Sequence, residues 1–204
     1  MNPGPQHIEM ADRVIRYLVG TKYLALEFSG FPDQSTLDFE CYPFECYSDA
    51  AFADNSDRKS SDGFLFTLYG GPIDWKASKQ ATVTTSSTEA ELLALSRTAK
   101  EVQAWQRFFH AINYQLDSKI SVYSDNTQTI RLLTSGNPQL STKLRHVDIH
   151  HHWLRQEVQG GRLNVEWVST VDMKADGFTK SLSRQPFERF VRQLNLVDIQ
   201  ALLE

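Results

Sequence analysis

The sequence predicts an α/β protein in which a group of strands comes first and strands then alternate with helices. Three β signals, at residues 38–53, 63–70 and 72–85, precede a long segment whose apolar residues have helical spacing, residues 87–112. The composition agrees with a globular domain, because 204 residues with 41% hydrophobic and 23% charged side chains suffice for a buried core.

Glycines and periodic apolar residues define the other elements. Gly20 ends the first predicted helix, Gly70 and Gly71 predict a hairpin turn between the second and third β signals, and Gly160 and Gly161 end a later helix. The further expected elements are a helix over 6–19, a strand over 23–28, a strand ending at Asp125, helices over 127–134 and 143–158, a strand over 163–168, a helix opening near Asp172 and an amphipathic helix over 185–194.

The charge balance argues against a free-standing, tight nucleic-acid binder. The net charge is −4 with a pI near 5.9, whereas phosphate contacts need a local excess of Lys and Arg. No apolar run approaches the roughly 18 residues of a membrane span, so we expect a soluble, intracellular protein. Cys41 and Cys46 stand at odd spacing around Pro43 and are expected to be free thiols in a reducing compartment.

Acidic residues stand where predicted strands end or helices begin. Asp49 and Asp125 end two similar apolar strands, and each follows a tyrosine by two residues. Side-chain alternation places each Asp on the face of its tyrosine, so the two carboxylates can meet if the strands are neighbours. Taken singly, either Asp fits a turn-forming residue at a strand end equally well.

The long predicted helix places an acid beside its apolar stripe. The stripe consists of Leu92, Leu95, Ala99, Val102 and Phe109. Glu91 points towards this side, where a carboxylate costs several kcal/mol unless it is paired or bound to metal, which suggests shared cations. Glu89 instead fits a capping box with Ser86 and is expected to face solvent. The alternative is that Glu91 closes a capping box with Thr88.

A series of short motifs runs through residues 46–190 in a fixed order. They are Tyr47-Ser48-Asp49-Ala50, Asp57-Arg58-Lys59-Ser60, Trp75-Lys76, Lys79-Gln80, Ser86-Ser87-Thr88-Glu89-Ala90-Glu91, Ser124-Asp125-Asn126, Arg145-His146-Val147-Asp148-Ile149, His152-Trp153-Leu154-Arg155 and Ala175-Asp176-Gly177-Phe178-Thr179-Lys180. Through these motifs the chain resembles the ribonuclease H domain of copia-type LTR retrotransposon Pol polyproteins. The resemblance implies a ribonuclease H-like fold, with a mixed five-stranded sheet of three antiparallel and then two parallel strands flanked by helices.

The resemblance also implies a reaction and its ligands. It implies an endonuclease that hydrolyses the RNA strand of RNA–DNA hybrids with two Mg²⁺ ions, or Mn²⁺, by a two-metal-ion mechanism. Carried over motif by motif, Asp49 would bridge both ions, Glu91 and Asp125 would complete one, and Asp176 would complete the other. Asp176 also fits a solvated acid in the first turn of the helix that opens near Asp172.

Three parts and two partners follow from the same resemblance. Residues 1–36 would be a remnant of the reverse transcriptase connection with a linker, residues 37–184 the ribonuclease H-like domain, and residues 185–204 a C-terminal helix and tail. The implied partners are an RNA–DNA hybrid and a reverse transcriptase domain of the parent polyprotein, with no membrane. The implied location is the cytoplasm, within a virus-like particle, or the nucleus.

Substrate contacts are expected from polar and basic side chains. Proteins bind A-form-like hybrids mostly through phosphate, sugar and 2′-hydroxyl contacts. The candidates are Asn126, Arg58, Lys59, Lys76, Lys79, Lys143, Arg145 and Lys180. Each also fits a solvated surface residue, and we favour Asn126 because it directly follows a proposed ligand.

A histidine-rich helix and four aromatic residues have alternative interpretations. His146 and His150, like Asp148 and His152, stand four residues apart, a spacing that a zinc site can use. No cysteine or second cluster completes such a site, and the resemblance implies a structural or substrate-facing role for His146, Asp148 and His152. His150 and His151 are expected at the surface. The aromatic residues are expected in the core rather than stacked on bases: Trp105, Phe108, Phe109 and Trp153.

Two departures from the resembled pattern keep another function open. Ala51 stands where that family usually has a second acid, and Asp54 stands where it usually has glycine. The loop after the last strand, residues 168–172, lacks the histidine that cellular ribonucleases H have there, which agrees with the copia type. The alternative is a catalytically weak or inactive, domesticated copy that binds nucleic acid or another partner. An integrase-like strand transferase fits the order of the acids and the Glu91 helix less well.

Overall fold

The computed structural model describes residues 3–28, 44–115, 120–136, 140 and 142–203. Its elements are α1 (Pro5–Gly20), β1 (Leu24–Leu26), β2 (Glu45–Ala51), β3 (Ser61–Leu68), β4 (Gly71–Lys79), α2 (Ser87–Ala111), β5 (Ser121–Ser124), α3 (Thr127–Thr134), α4 (Arg145–Gln159), β6 (Asn164–Trp167), α5 (Asp176–Thr179), α6 (Arg184–Gln193), β7 (Leu196–Asp198) and α7 (Gln200–Leu203). The predicted order is confirmed, and β7 and α7 are additional.

The described strands β4-β3-β2-β5-β6 form one mixed sheet in that order. β2, β3 and β4 are antiparallel, whereas β5 runs parallel to β2 and to β6. Tyr47 is in register with Tyr123, so the two strands that precede Asp49 and Asp125 are neighbours. Because they are parallel, their carboxyl ends lie at the same edge of the sheet.

A tight hairpin joins β3 to β4. Its turn residues are Tyr69 and Gly70, which have φ angles of 53° and 75°, as the type I′ turn of a two-residue hairpin requires. The hairpin was predicted correctly, but the turn was predicted one residue too late in the sequence. Gly71 does not belong to the turn, because it already pairs with Leu68 in the ladder. The third β signal was also too long. The strand ends at Lys79, after which the chain turns towards α2.

The sheet is covered on both faces. Cys46 and Phe66 face the main core, which α2, α3 and α4 complete, while Tyr47 and Leu65 face the other way against Met173. The whole predicted stripe of α2 is buried in the main core. The thiol of Cys46 is free. Cys41 and the expected boundary between residues 36 and 37 lie outside the described residues.

The aromatic residues of the long helix differ in burial. Phe109 is buried in the main core, and Trp105 and Trp153 pack against it. Phe108 is 51% exposed, so its expected core position was wrong. Adjacent helical residues differ by about 100°, which turns Phe108 away from the stripe that Phe109 extends.

The two ends of the described chain meet in a second, small sheet. β1 pairs antiparallel with β7, and the Glu27 N–H donates to the Asn195 carbonyl at 3.0 Å. The Tyr17 ring of α1 packs edge-on against Phe187 of α6, with ring centroids 5.8 Å apart. No residue of α1 is buried. None of the helices among the described residues combines the length and apolarity needed to cross a bilayer.

Candidate active site

Two strand ends and one helix bring three carboxylates together. Asp49 lies near the end of β2, Asp125 directly follows β5, and Glu91 lies one turn into α2. One oxygen atom from each side chain lies within 4.8 Å of the others. The parallel pairing of β2 and β5 therefore brings the Asp49 and Asp125 carboxylates together, as predicted for neighbouring strands.

Burial gives this acidic group its electrostatic character. Asp49 is completely buried, Glu91 is 6% exposed, and Asp125 is half-buried. Burial raises the pKa of both Asp49 and Glu91, and the neighbouring carboxylates raise these pKa values further. Because burial and mutual repulsion both disfavour the charged forms, a cation among these oxygens would stabilise them.

Asp176 lies beside this group rather than within it. Its carboxylate accepts a hydrogen bond from Lys180 Nζ at 2.6 Å, and the same ammonium lies 3.3 Å from Asp49 Oδ1. Lys180 therefore connects Asp176 to the buried end of the site. The helix expected to open near Asp172 begins at Asp176 instead, because the Asp172 carboxylate accepts from the Ser169 hydroxyl and closes a preceding turn.

Two threonines hold the aspartates and were missed in the sequence. The Thr179 hydroxyl donates to Asp49 Oδ2, and the Thr170 hydroxyl donates to Asp125 Oδ2 at 2.9 Å. Thr179 had a usable signal, since it follows Asp176 by three residues and helical spacing places both on one face. Thr170 lies in the turn after β6 and had no such signal.

Glu89 anchors the start of α2 from inside the protein. Ser86 is the N-cap as predicted, because its hydroxyl accepts the Glu89 N–H at 3.2 Å. The expected solvent position of Glu89 was wrong: the residue is 2% exposed, and its carboxylate accepts from the Thr85 N–H at 2.6 Å and from the Thr142 hydroxyl. Burial opposes the charged form, but these hydrogen bonds outweigh it and lower the pKa of Glu89.

The expected substrate contacts lie on several elements. Among the described residues, Lys180 is the candidate whose side chain donates hydrogen bonds to the acidic residues Asp49 and Asp176. Asn126 follows Asp125, but its side chain is used as the N-cap of α3 and accepts the Thr129 N–H at 2.9 Å. The other candidates are Arg58 and Lys59 in the loop between β2 and β3, Lys76 and Lys79 on the edge strand β4, and Lys143 and Arg145 where α4 begins.

The histidines of α4 are less exposed than expected. His151 is 3% exposed and its Nε2 lies 3.3 Å from the Leu132 carbonyl of α3, so the expected surface position was wrong. His150 is half-buried, with Nδ1 2.8 Å from the Ser96 hydroxyl. The cause is the packing of α4 against both α2 and α3, which covers these two rings.

The chain is similar to segments of long polyproteins. No protein-family model matches it. The retrovirus-related Pol polyprotein from transposon RE2 of Arabidopsis thaliana is 33% identical over 198 residues, which cover 97% of this chain and 13% of that protein. The one from transposon TNT 1-94 of Nicotiana tabacum is 36% identical over 188 residues, covering 92% and 13%. The chain thus spans only a small part of the length of these relatives.

Solved structures show a similar fold. LC11-RNase H1, isolated from compost by a metagenomic approach, superposes with a TM-score of 0.52 and 15% identity, covering 67% of this chain and 92% of that one. The same protein in complex with an RNA/DNA hybrid gives a TM-score of 0.50 and 14% identity, covering 66% and 92%. The described sheet and helices therefore have a ribonuclease H-like fold.

Proposed function

We propose, from the homology of this chain to Pol polyproteins of copia-type retrotransposons and from its ribonuclease H-like fold, that it hydrolyses the RNA strand of RNA–DNA hybrids. The observation that carries the proposal is the meeting of Asp49, Glu91 and Asp125 at one edge of the sheet. The complex of LC11-RNase H1 with an RNA/DNA hybrid supports the substrate class. The chain would act as the ribonuclease H module of a reverse transcriptase.

The donor set fits divalent cations. Carboxylate oxygens are the hard ligands that Mg²⁺ and Mn²⁺ prefer, and among the described residues Lys180 is the one cation that forms an ion pair with Asp49 or Asp176. We assign Asp49, Glu91 and Asp125 to one ion, and Asp49 with Asp176 to a second. Two such ions, when bound, lower the pKa of an attacking water and neutralise the leaving 3′ oxygen.

The chain itself orients the ligands and admits the substrate. The Thr179 and Thr170 hydroxyls fix the Asp49 and Asp125 carboxylates, so little reorganisation is needed during the reaction. Asp49 is buried and Asp125 is half-buried, so the scissile phosphate would approach from the Asp125 side. The water oxygen bonds to phosphorus as the bond to the 3′ oxygen breaks, which leaves a 5′-phosphate and a 3′-hydroxyl.

Replacing the central carboxylate tests this function. We expect Asp49→Asn to reduce cleavage of an end-labelled hybrid in Mg²⁺ by at least about a hundredfold, because one ligand of both ions is lost. The measurement is a denaturing gel with and without Mg²⁺, with circular dichroism to verify folding. Asp12→Asn, an exposed acid on α1, is the matched control and should cleave normally. Full activity of Asp49→Asn would refute the proposal.

A second candidate is hybrid binding without cleavage. It is favoured by the Lys180 ammonium, which already neutralises part of the acidic site. In that case fluorescence anisotropy would show binding of a labelled hybrid, while no product would form in Mg²⁺ or Mn²⁺ at any protein concentration.

A further inference from the structure

A cation that belongs to the chain lies at the edge of the acidic site. Lys180 Nζ is 2.6 Å from Asp176 Oδ1 and 3.3 Å from Asp49 Oδ1. Asp49 is completely buried, whereas the Lys180 side chain is 38% exposed. The ammonium therefore neutralises a buried carboxylate while keeping a route to solvent.

The positions of the neighbouring elements hold the lysine there. Asp176 begins α5 and Lys180 is its C-cap, whose N–H donates to the Asp176 carbonyl at 2.9 Å, so the two residues lie one helical turn apart. α5 lies directly against β3 at Gly63, where an added Cβ would stand only 2.8 Å from the Cβ of Phe178. This close approach brings the end of α5 to Asp49.

The lysine and a second metal ion would need the same oxygens. One oxygen each of Asp49, Glu91 and Asp125 lies within 4.8 Å of the others, and the Asp176 carboxylate is bound by Lys180 instead. The Lys180 ammonium, 2.6 Å from Asp176 Oδ1 and 3.3 Å from Asp49 Oδ1, occupies the space that a metal ion bound to both oxygens would need, so the two cannot bind there together. The flexible stem of a half-exposed lysine allows the ammonium to move to solvent.

We propose that Lys180 is an internal counter-ion that a divalent cation must displace from Asp176 and Asp49. The two cations then bind with unequal affinity. One binds Asp49, Glu91 and Asp125 directly, and the second binds only when the Lys180 ammonium moves away. The released ammonium lies at the rim of the site, where it can contact a substrate phosphate. This inference rests on the proposed two-cation function and assigns Lys180 a role in metal loading as well as substrate binding.

Metal binding without nucleic acid tests the role of Lys180. Lys180→Met keeps the length of the stem and removes its charge. Lys174→Met is the matched control, because Lys174 pairs with Glu45 at 2.9 Å, outside the acidic group. Mn²⁺ binding to the full chain is measured by titration calorimetry and by the electron paramagnetic resonance of free Mn²⁺. We expect the weaker dissociation constant to fall about tenfold in Lys180→Met and to stay unchanged in Lys174→Met.

Two further measurements separate this role from a structural ion pair. Lys180→Arg keeps the charge and should bind Mn²⁺ like the wild type. In metal-free buffer, the melting temperature of Lys180→Met should fall, and saturating Mn²⁺ should raise it more than it raises that of the wild type. A purely structural ion pair predicts the first change without the tighter Mn²⁺ binding.

The possible results distinguish this inference from the nuclease function. An unchanged Mn²⁺ isotherm in Lys180→Met overturns the role of Lys180, even if the wild type cleaves hybrids. Tighter Mn²⁺ binding in Lys180→Met supports that role, even if the wild type cleaves nothing and the nuclease proposal fails. If neither protein binds Mn²⁺, both proposals are overturned.

Discussion

At the scale of single residues, the buried side chain of His151 is expected to make the stability of the fold depend on pH, away from the acidic site. Burial lowers the pKa of His151 and outweighs the opposing hydrogen bond to the Leu132 carbonyl. His152 and Arg155 lower this pKa further, while Asp148 opposes them. Its Nδ1 has no hydrogen-bond partner among the described residues, so the neutral ring is the form that the fold accommodates.

Replacing His151 by Gln should weaken the acid sensitivity of the fold. The pKa of His151 in the folded state lies below its value in the unfolded state. As the pH falls from about 7 to about 5, the unfolded chain therefore binds more protons than the folded protein, and the free energy of unfolding decreases in that window. Gln retains a donor for Leu132 but does not titrate. We expect a flatter dependence of melting temperature on pH for His151→Gln than for the wild type. His110→Gln, an exposed position on α2, should retain the wild-type slope. Equal slopes for all three proteins would contradict this assignment.

At the scale of elements, the four-residue helix α5 supplies one whole side of the site. It carries Asp176 and Thr179 and is followed by Lys180. Such a short helix has no stability of its own and depends on its neighbours. On one side it lies against Gly63 of β3, and on the other the Phe190 ring of α6 occupies the space that a side chain at Gly177 would need.

Adding one methyl group at Gly63 should displace α5. The new Cβ would lie 2.8 Å from the Cβ of Phe178 and 3.2 Å from the Lys76 carbonyl, and neither atom belongs to a flexible chain end. We expect Gly63→Ala to lower the free energy of unfolding by about 1–3 kcal/mol. We also expect it to reduce hybrid cleavage by more than the smaller fraction of folded protein explains. Urea unfolding and the gel assay measure the two changes. Gly20→Ala is the control, because an added Cβ there would meet no atom within 4 Å beyond its chain neighbours and the backbone of its own helix. Unaltered stability and cleavage in Gly63→Ala would show that α5 is not held by this contact.

At the scale of the whole molecule, the first and last of the three proposed parts are joined. β1 belongs to residues 1–36 and β7 to residues 185–204, and their pairing connects the two ends of the described chain. α6, which precedes β7, contacts α1 through Phe187 and α5 through Phe190. The N-terminal segment is therefore coupled to the site through packed elements, not through chain connectivity alone.

Breaking the small sheet should release both ends without unfolding the larger one. Val197 is in register with Ala25, and proline at this position cannot donate to the strand ladder. We expect Val197→Pro to speed amide exchange in residues 23–27 and 195–199, while exchange in β2 and β5 stays slow. Hydrogen–deuterium exchange with mass spectrometry measures this. Val197→Thr keeps the N–H and serves as the control. Wild-type exchange at both ends of Val197→Pro would mean that the pairing contributes little.

The sequence by itself determined the order of the elements and three members of the acidic site. Strand alternation, helical periodicity and turn glycines are local signals, and they predicted the hairpin, α2 and the strands that end at Asp49 and Asp125. Glu91 was recognisable because an acid beside an apolar stripe is costly unless it has a partner. The resemblance supplied Asp176 and the type of sheet.

Only the tertiary structure decided which distant groups meet. Lys180 reaches Asp49 across 131 positions, Thr142 reaches Glu89 across 53, and β7 returns to β1 from the other end of the chain. Local patterns do not encode such contacts, because each depends on how far whole elements approach one another when the core closes. For the same reason Glu89 and His151, polar residues expected in solvent, are buried beneath neighbouring segments.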